Sequence, residues 1–168
     1  MKQLLLLVII SVVAMVANCQ RSKELLFAGT YTDGQPGKGI YVYAADTATG
    51  ELTALSTGED ITNPSFITIS PNGRYLYACT DTKTLVPGSI SAFAIDSTAG
   101  TIRFINKQSS AGANPVYLSV YKNNGFVVTG NYTGGSVAVL PLNSNGGVGA
   151  AIQFIQFTDS SIPIIIPS

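Results

Sequence analysis

The chain has 168 residues, with nine Lys+Arg against nine Asp+Glu and no histidine; 46% of residues are hydrophobic and only 11% charged. Zero net charge leaves no clustered positive surface for a nucleic-acid binder, and the apolar content, with eight Tyr and seven Phe, excludes a disordered chain. Two cysteines cannot build a disulfide framework. The lack of histidine removes the usual zinc and copper ligand and the commonest general base near neutral pH. No metal and no cofactor are expected.

The first element is an address. Met1-Lys2-Gln3 leads into Leu4 to Val13, apolar apart from Ser11, and then Ala14-Met-Val-Ala17. A basic start, a short apolar core and a small-residue exit form a secretory signal over residues 1–18. The apolar run is shorter than the ~20 residues that span a bilayer. Cleavage after Ala17 is one outcome. The other is lipidation: Val16-Ala-Asn18 resembles a bacterial lipobox before Cys19, with Asn18 where Gly or Ala is usual. The chain is therefore expected to be exported to a periplasmic or extracellular location, touching membrane only through an anchor at Cys19.

After the leader come short runs rich in Ile, Val, Tyr, Phe and Thr, bounded by Gly, Asn, Asp and Pro, the composition of strands and turns. Strands are predicted at 25–31, 39–45 and 51–57. A second group follows at 65–70, 74–80, 89–95 and 101–107. A third falls at 116–121, 126–131, 136–142 and about 150–157. The groups repeat. Gly39-Ile-Tyr-Val-Tyr-Ala-Ala-Asp46 matches Gly88-Ser-Ile-Ser-Ala-Phe-Ala-Ile-Asp96 and Gly135-Ser-Val-Ala-Val-Leu-Pro-Leu-Asn143 at offsets of 49 and 47. Asn63-Pro-Ser-Phe-Ile-Thr-Ile-Ser70 matches Asn114-Pro-Val-Tyr-Leu-Ser-Val-Tyr121 at an offset of 51. Four strands per repeat of about 50 residues is the arithmetic of a β-propeller blade.

The fold class read from this pattern is all-β, with about two and three-quarter four-stranded antiparallel blades over residues 25–157 and an atypical tail at 158–168. The first group lacks its innermost strand, and three blades are fewer than the ~4–8 of a closed ring. The expectation is a fragment of low autonomous stability, with exposed blade faces and unpaired strand edges.

The repeats resemble the seven-bladed propeller lactonase family, which includes the propeller type of 6-phosphogluconolactonase and the related carboxy-muconate cyclases. The matching stretches include Gly29-Thr-Tyr-Thr32, Gly39-Ile-Tyr-Val-Tyr43, Thr49-Gly-Glu-Leu-Thr53 and Asn63-Pro-Ser-Phe66. They continue through Ser70-Pro-Asn-Gly-Arg-Tyr-Leu-Tyr77, Gly88 to Asp96, and Asn131-Tyr-Thr-Gly-Gly-Ser-Val-Ala-Val-Leu-Pro-Leu142. The resemblance implies hydrolysis of a sugar lactone, 6-phosphogluconolactone opening to the acid, with a small-molecule sugar lactone as partner. It also implies a His-x-His segment after the third blade, with further Arg and Glu, as the active-site set. This chain departs there, running Ala150-Ala-Ile-Gln-Phe-Ile-Gln-Phe157 and ending in Ser161-Ile-Pro-Ile-Ile-Ile-Pro-Ser168. Its catalytic residues are expected downstream. Two other readings stay open: a non-catalytic binding or scaffold propeller, since fold alone assigns no function, and a lactone-forming cycloisomerase.

Strand connections alternate between two ends. One end collects short turns that look alike: Pro71-Asn-Gly73, Asn123-Asn-Gly125, Asp46 to Gly50, Asp96 to Gly100 and Asn143 to Gly146. There Asx side chains fold back on the backbone and Gly takes positive φ. The other end collects loops of varied length at 32–38, 57–62, 80–87, 108–113 and 131–134, and varied loops on a rigid scaffold are where binding residues concentrate. Lactone opening needs a base for water, donors for the oxyanion and a cation for any phosphate. The irregular end offers Asp33 and Asp81, either of which would serve as base only where buried or beside a like charge. It also offers Asn63 and Asn114, which cap the inner strand or hydrogen-bond substrate. Asn131 and Tyr132 are the leading contact candidates, and Lys38 and Lys83 are cations for phosphate. Cys79 reads as an inert core thiol.

Overall fold

A computed structural model describes residues 23–34, 36–58, 61–82 and 85–158, and the backbone of 164–167. The leader, Cys19 and Lys83 lie outside the described residues.

Among the described residues every regular element is a strand. β1 (Lys23–Gly29), β2 (Ile40–Asp46) and β3 (Leu52–Gly58) form one antiparallel sheet in the order β1-β2-β3. β4 (Pro64–Ile69), β5 (Tyr75–Thr80), β6 (Pro87–Asp96) and β7 (Thr101–Ala113) form the second in sequential order. β8 (Pro115–Val120), β9 (Phe126–Asn131), β10 (Ser136–Pro141) and β11 (Gln153–Gln156) form the third, extended by β12 (Ile164–Pro167) beside β11.

Two-residue periodicity explains why the sheets stack as blades. Successive side chains of a strand point to opposite faces, and here each face meets a different neighbour. On β5, Leu76 and Ala78 enter the core shared with the first sheet, alongside Ile40, Ile61 and Phe93. The intervening Tyr77 and Cys79 enter the core shared with the third, with Leu118, Val127, Ala138 and Leu140. A strand buried on both faces must be apolar at consecutive positions, which is why Tyr75 to Cys79 lacks polar alternation. The inner strands also touch: the rings of Phe66 on β4 and Tyr117 on β8 lie 4.9 Å apart.

The missing inner strand of the first group is visible as space. A groove of about 480 Å³ runs along β1, lined by Leu26, Phe27, Ile67 and Ile69 among others, in the place that β4 and β8 fill in the other sheets.

Three expectations need correction. The 108–113 segment is not a loop: β7 continues to Ala113, re-pairing with Pro87 and Ser89 after bulges in the ladder. The turn at 123–125 does not use its glycine for positive φ; Asn124 takes that position at 57°, as Gly73 does at 72° in the second blade. The third sheet has a fifth strand, because 164–167 of the tail pairs antiparallel with Gln153–Gln156.

Candidate functional site

The two ends of the blades are built differently. At the regular end Asp46 Oδ1 accepts from the amides of Ala48 and Thr49 at 2.9 and 3.1 Å, and Asp96 Oδ1 from Thr98 and Ala99 at 3.0 and 2.9 Å. Gly50 and Gly100 close these turns at φ of 76° and 65°. The same chemistry recurs in both blades, and it is turn chemistry.

At the irregular end the connections tie neighbouring blades together. Asn63 and Asn114 each precede a proline, and each sits in left-handed backbone, at φ of 44° and 52°. Asparagine tolerates that region better than most residues, yet two such positions before proline form a strained pair. The side-chain oxygen of each faces the preceding blade. Asn63 Oδ1 accepts from the amides of Thr32 and Asp33 at 2.9 and 3.0 Å, and its Nδ2 donates to the Asp33 carboxylate. Asn114 Oδ1 accepts from Thr82 Oγ1 at 3.0 Å, while its Nδ2 donates to Thr133 Oγ1 at 2.7 Å. The backbone carbonyls look the other way: Asn63 O takes the Asp81 amide at 3.0 Å and Asn114 O the Tyr132 amide at 2.8 Å. Each asparagine thus joins its own blade's b–c loop to that of the blade before.

A further link crosses the same junction. Tyr31 Oη donates to Asp81 Oδ2 at 2.8 Å. That hydrogen bond, with lesser contributions from burial and the Asp81 charge, raises the Tyr31 phenol above its ordinary value. By strand register Tyr31, Asp81 and Tyr132 occupy equivalent places: Gly29, Cys79 and Gly130 pair with Ile40, Ile90 and Val137. The three residues therefore form an arc around one end of the inner strands, two of them already joined.

The leading contact candidates separate. Tyr132 stands 80% exposed on this face. Asn131 does not reach it: it is 2% exposed, with Nδ2 donating to Ser110 O and Ser136 Oγ at 3.2 Å each, against Gly112 of the second blade. Its Oδ1 has no partner among the described residues. Asp33 is exposed and Asp81 half-buried, so the burial asked of a base is absent at Asp33. Lys38 is exposed, its amide donating to Tyr41 Oη at 3.2 Å. Cys79 is fully buried and its thiol is pushed up by burial, which fits an unreactive core group.

Sequence reasoning passed over Tyr31 and the threonines Thr32, Thr82 and Thr133. The last three recur at one place after each b strand, and that recurrence is the signal that could have found them. Chemically the rim offers two carboxylates and two phenols, acceptors and donors suited to sugar hydroxyls. No group of three or more His, Cys, Asp or Glu able to hold a metal occurs among the described residues.

Comparison with known proteins identifies the family. Residues 25–163 match the family described as "Lactonase, 7-bladed beta-propeller". A Formosa agariphila protein named 6-phosphogluconolactonase is 38% identical over 137 residues, 82% of this chain and 39% of that protein. Its Bacillus subtilis namesake is 31% identical over 132 residues, 79% of this chain and 37% of its own. The chain thus spans about two fifths of the length of these relatives. Among solved structures, a candidate 6-phosphogluconolactonase from Bacteroides fragilis superposes with a TM-score of 0.75 at 33% identity, covering 88% of this chain and 41% of that one. The periplasmic gluconolactonase of Pseudomonas aeruginosa superposes at 0.69 with 27% identity, covering 79% and 38%. The chain belongs to the seven-bladed β-propeller lactonase family.

Proposed function

We propose that the protein hydrolyses a sugar lactone of the 6-phosphogluconolactone type, and that this chain supplies three blades whose irregular end faces the substrate. The observation that carries the reading is the family match across 25–163, with 38% identity to a relative named for that activity. The placement of exposed, chemically varied residues at one end agrees with it, since turn chemistry occupies the other.

In the reaction water adds to the lactone carbonyl carbon, the carbonyl-to-ring-oxygen bond breaks, and the ring oxygen leaves as a hydroxyl after taking a proton. The acid formed ionises and releases a proton. Tyr132, Asp81 and Asp33 would contact sugar hydroxyls. Asn63 and Asn114 would hold their loops in place, and Asn131 would support the 132–135 turn from below. Lys38 and Lys83 would meet a phosphate where the sugar carries one. The group that activates water is not assigned to any of these residues.

The leader pattern and the periplasmic relative support export of this protein, with Cys19 as the anchor. Mass spectrometry of the mature N-terminus tests this: a lipid-bearing Cys19 agrees, and an intact Met1 opposes it. For the activity, a pH-stat assay would follow acid release from 6-phosphogluconolactone and from unphosphorylated gluconolactone. It uses the 168-residue chain and the product of the whole reading frame that contains it. Acid release by the latter above the spontaneous rate is expected, and its absence for both lactones would overturn the reading.

A further inference from the structure

At the irregular end most hydrogen bonds close loops. The amide of Thr30 donates to Gly39 O at 2.7 Å, and those of Thr32 and Asp33 to Asn63 Oδ1 at 2.9 and 3.0 Å. Tyr31 lies between these bonds, so its backbone is pinned on both sides. A Cβ on Gly37 would stand 2.7 Å from Thr30 Oγ1 and 2.8 Å from Tyr31 O, so the returning arm of the loop packs directly on this stretch.

One bond here closes nothing. Tyr31 Oη donates to Asp81 Oδ2 at 2.8 Å, side chain to side chain, across the junction of the first and second blades. No backbone group gains a partner from it. The loop bearing Asp81 has its own tie, from the Asp81 amide to Asn63 O at 3.0 Å. Tyr31 is 40% exposed and Asp81 half-buried, so water would meet both groups if the bond were lost. A bond of that kind contributes little to stability.

What the bond does is set a direction. A carboxylate offers about four acceptor sites. A phenol aimed by a pinned backbone takes one of them, and the others then have fixed directions too. The neighbouring positions supply the contrast. Asp33 is held by the Asn63 amide, which also closes the loop, whereas Asp81 is held by a phenol from another blade. Tyr132, at the equivalent place in the third blade, stands 80% exposed.

We propose that Tyr31 is a positioning residue of the lactone site, holding the Asp81 carboxylate in the orientation that accepts from a hydroxyl of the bound sugar. The assignment rests on the lactonase reading and deepens it. It gives Asp81 a sugar hydroxyl and not a phosphate, because a carboxylate accepts from hydroxyls and repels another anion. It gives Tyr31 no contact with the reacting atoms: its effect passes through Asp81.

The test is steady-state kinetics of the whole-frame product on gluconolactone and 6-phosphogluconolactone, for wild type, Tyr31→Phe, Asp81→Ala and the double variant. Tyr31→Phe should raise KM roughly threefold or more for both lactones, with kcat within about twofold, because the substrate must now order the carboxylate itself. In the Asp81→Ala background the same change should move KM by less than about 1.5-fold, the mark of one residue acting through another. The urea midpoint of Tyr31→Phe should match wild type, which separates lost positioning from lost folding. An unchanged KM, an equal rise in both backgrounds, a rise for the phosphorylated lactone alone, or a lowered midpoint would each overturn the proposal while leaving wild-type lactone opening intact. No opening by the wild type would remove the lactonase reading, and this proposal with it.

Discussion

Replacing Tyr77 by Phe should reverse the order of stability between wild type and variant as pH rises. Tyr77 is 1% exposed and its hydroxyl donates to Gly146 O at 3.0 Å across the blade junction. At neutral pH the variant loses that bond and leaves a buried carbonyl unmet, costing about 1–2 kcal/mol. Burial, and to a lesser degree nearby Tyr75, pushes the Tyr77 phenol up to about 12, against about 10 in an unfolded chain. Below the unfolded value both states are protonated and the stability is complete. Between the two values the unfolded chain releases a proton that the folded chain retains, so stability falls with rising pH. Two pKa units correspond to about 3 kcal/mol lost by the time the folded phenol ionises. Phenylalanine cannot ionise, and the other tyrosines are common to both proteins. The variant should therefore be less stable by about 1–2 kcal/mol near neutrality and more stable by a similar margin near pH 12. Urea denaturation followed by circular dichroism at a series of pH values measures the difference directly. A difference that stays constant from neutral pH to about 12 would refute the placement of Tyr77 in the core.

Other substitutions probe the junctions and the rim. Asn63→Ala should destabilise by about 2–3 kcal/mol, because it strands two amides and leaves a non-glycine residue in left-handed backbone; faster exchange of the Thr32 and Asp33 amides is the check. Gly88→Ala should cost about 2–3 kcal/mol of stability, read as a lowered denaturation midpoint, because its Cβ would enter the Pro115 ring and the Thr80 carbonyl with no flexible side chain to yield. Tyr132→Ala, at an 80% exposed position, should leave stability within about 0.5 kcal/mol while weakening sugar-lactone binding by the whole-frame product, read as a raised KM.

The blades were legible in sequence because each strand is bounded by turn residues and the units repeat. Predicted and observed limits agree within one or two residues for most strands from 25 to 142. What sequence could not show is which way a polar side chain faces once two blades close. Asn131 ends β9 and Tyr132 opens the turn after it; one is buried against Gly112 and the other exposed. No local pattern says which. Tyr31 and Asp81 lie 50 residues apart and meet only because blades stack in register. Gln108 to Ala113 looked like a loop because Ser, Gly and Ala are poor strand formers, yet the ladder to β6 captures it through bulges. The glycine expected at the left-handed place of the 123–125 turn is one position late, and Asn124 stands in for it.

The central claim is that the irregular end of a lactonase propeller faces the substrate, and lactone opening by the whole-frame product tests it most directly. Acid release from 6-phosphogluconolactone should be clear in the wild type and unchanged in Lys122→Gln at the regular end. It should fall roughly tenfold in kcat/KM for Asp81→Asn, the equivalent of losing one charged hydrogen bond to substrate. No lactone opening, or an Asp81→Asn protein as active as wild type, would contradict the account.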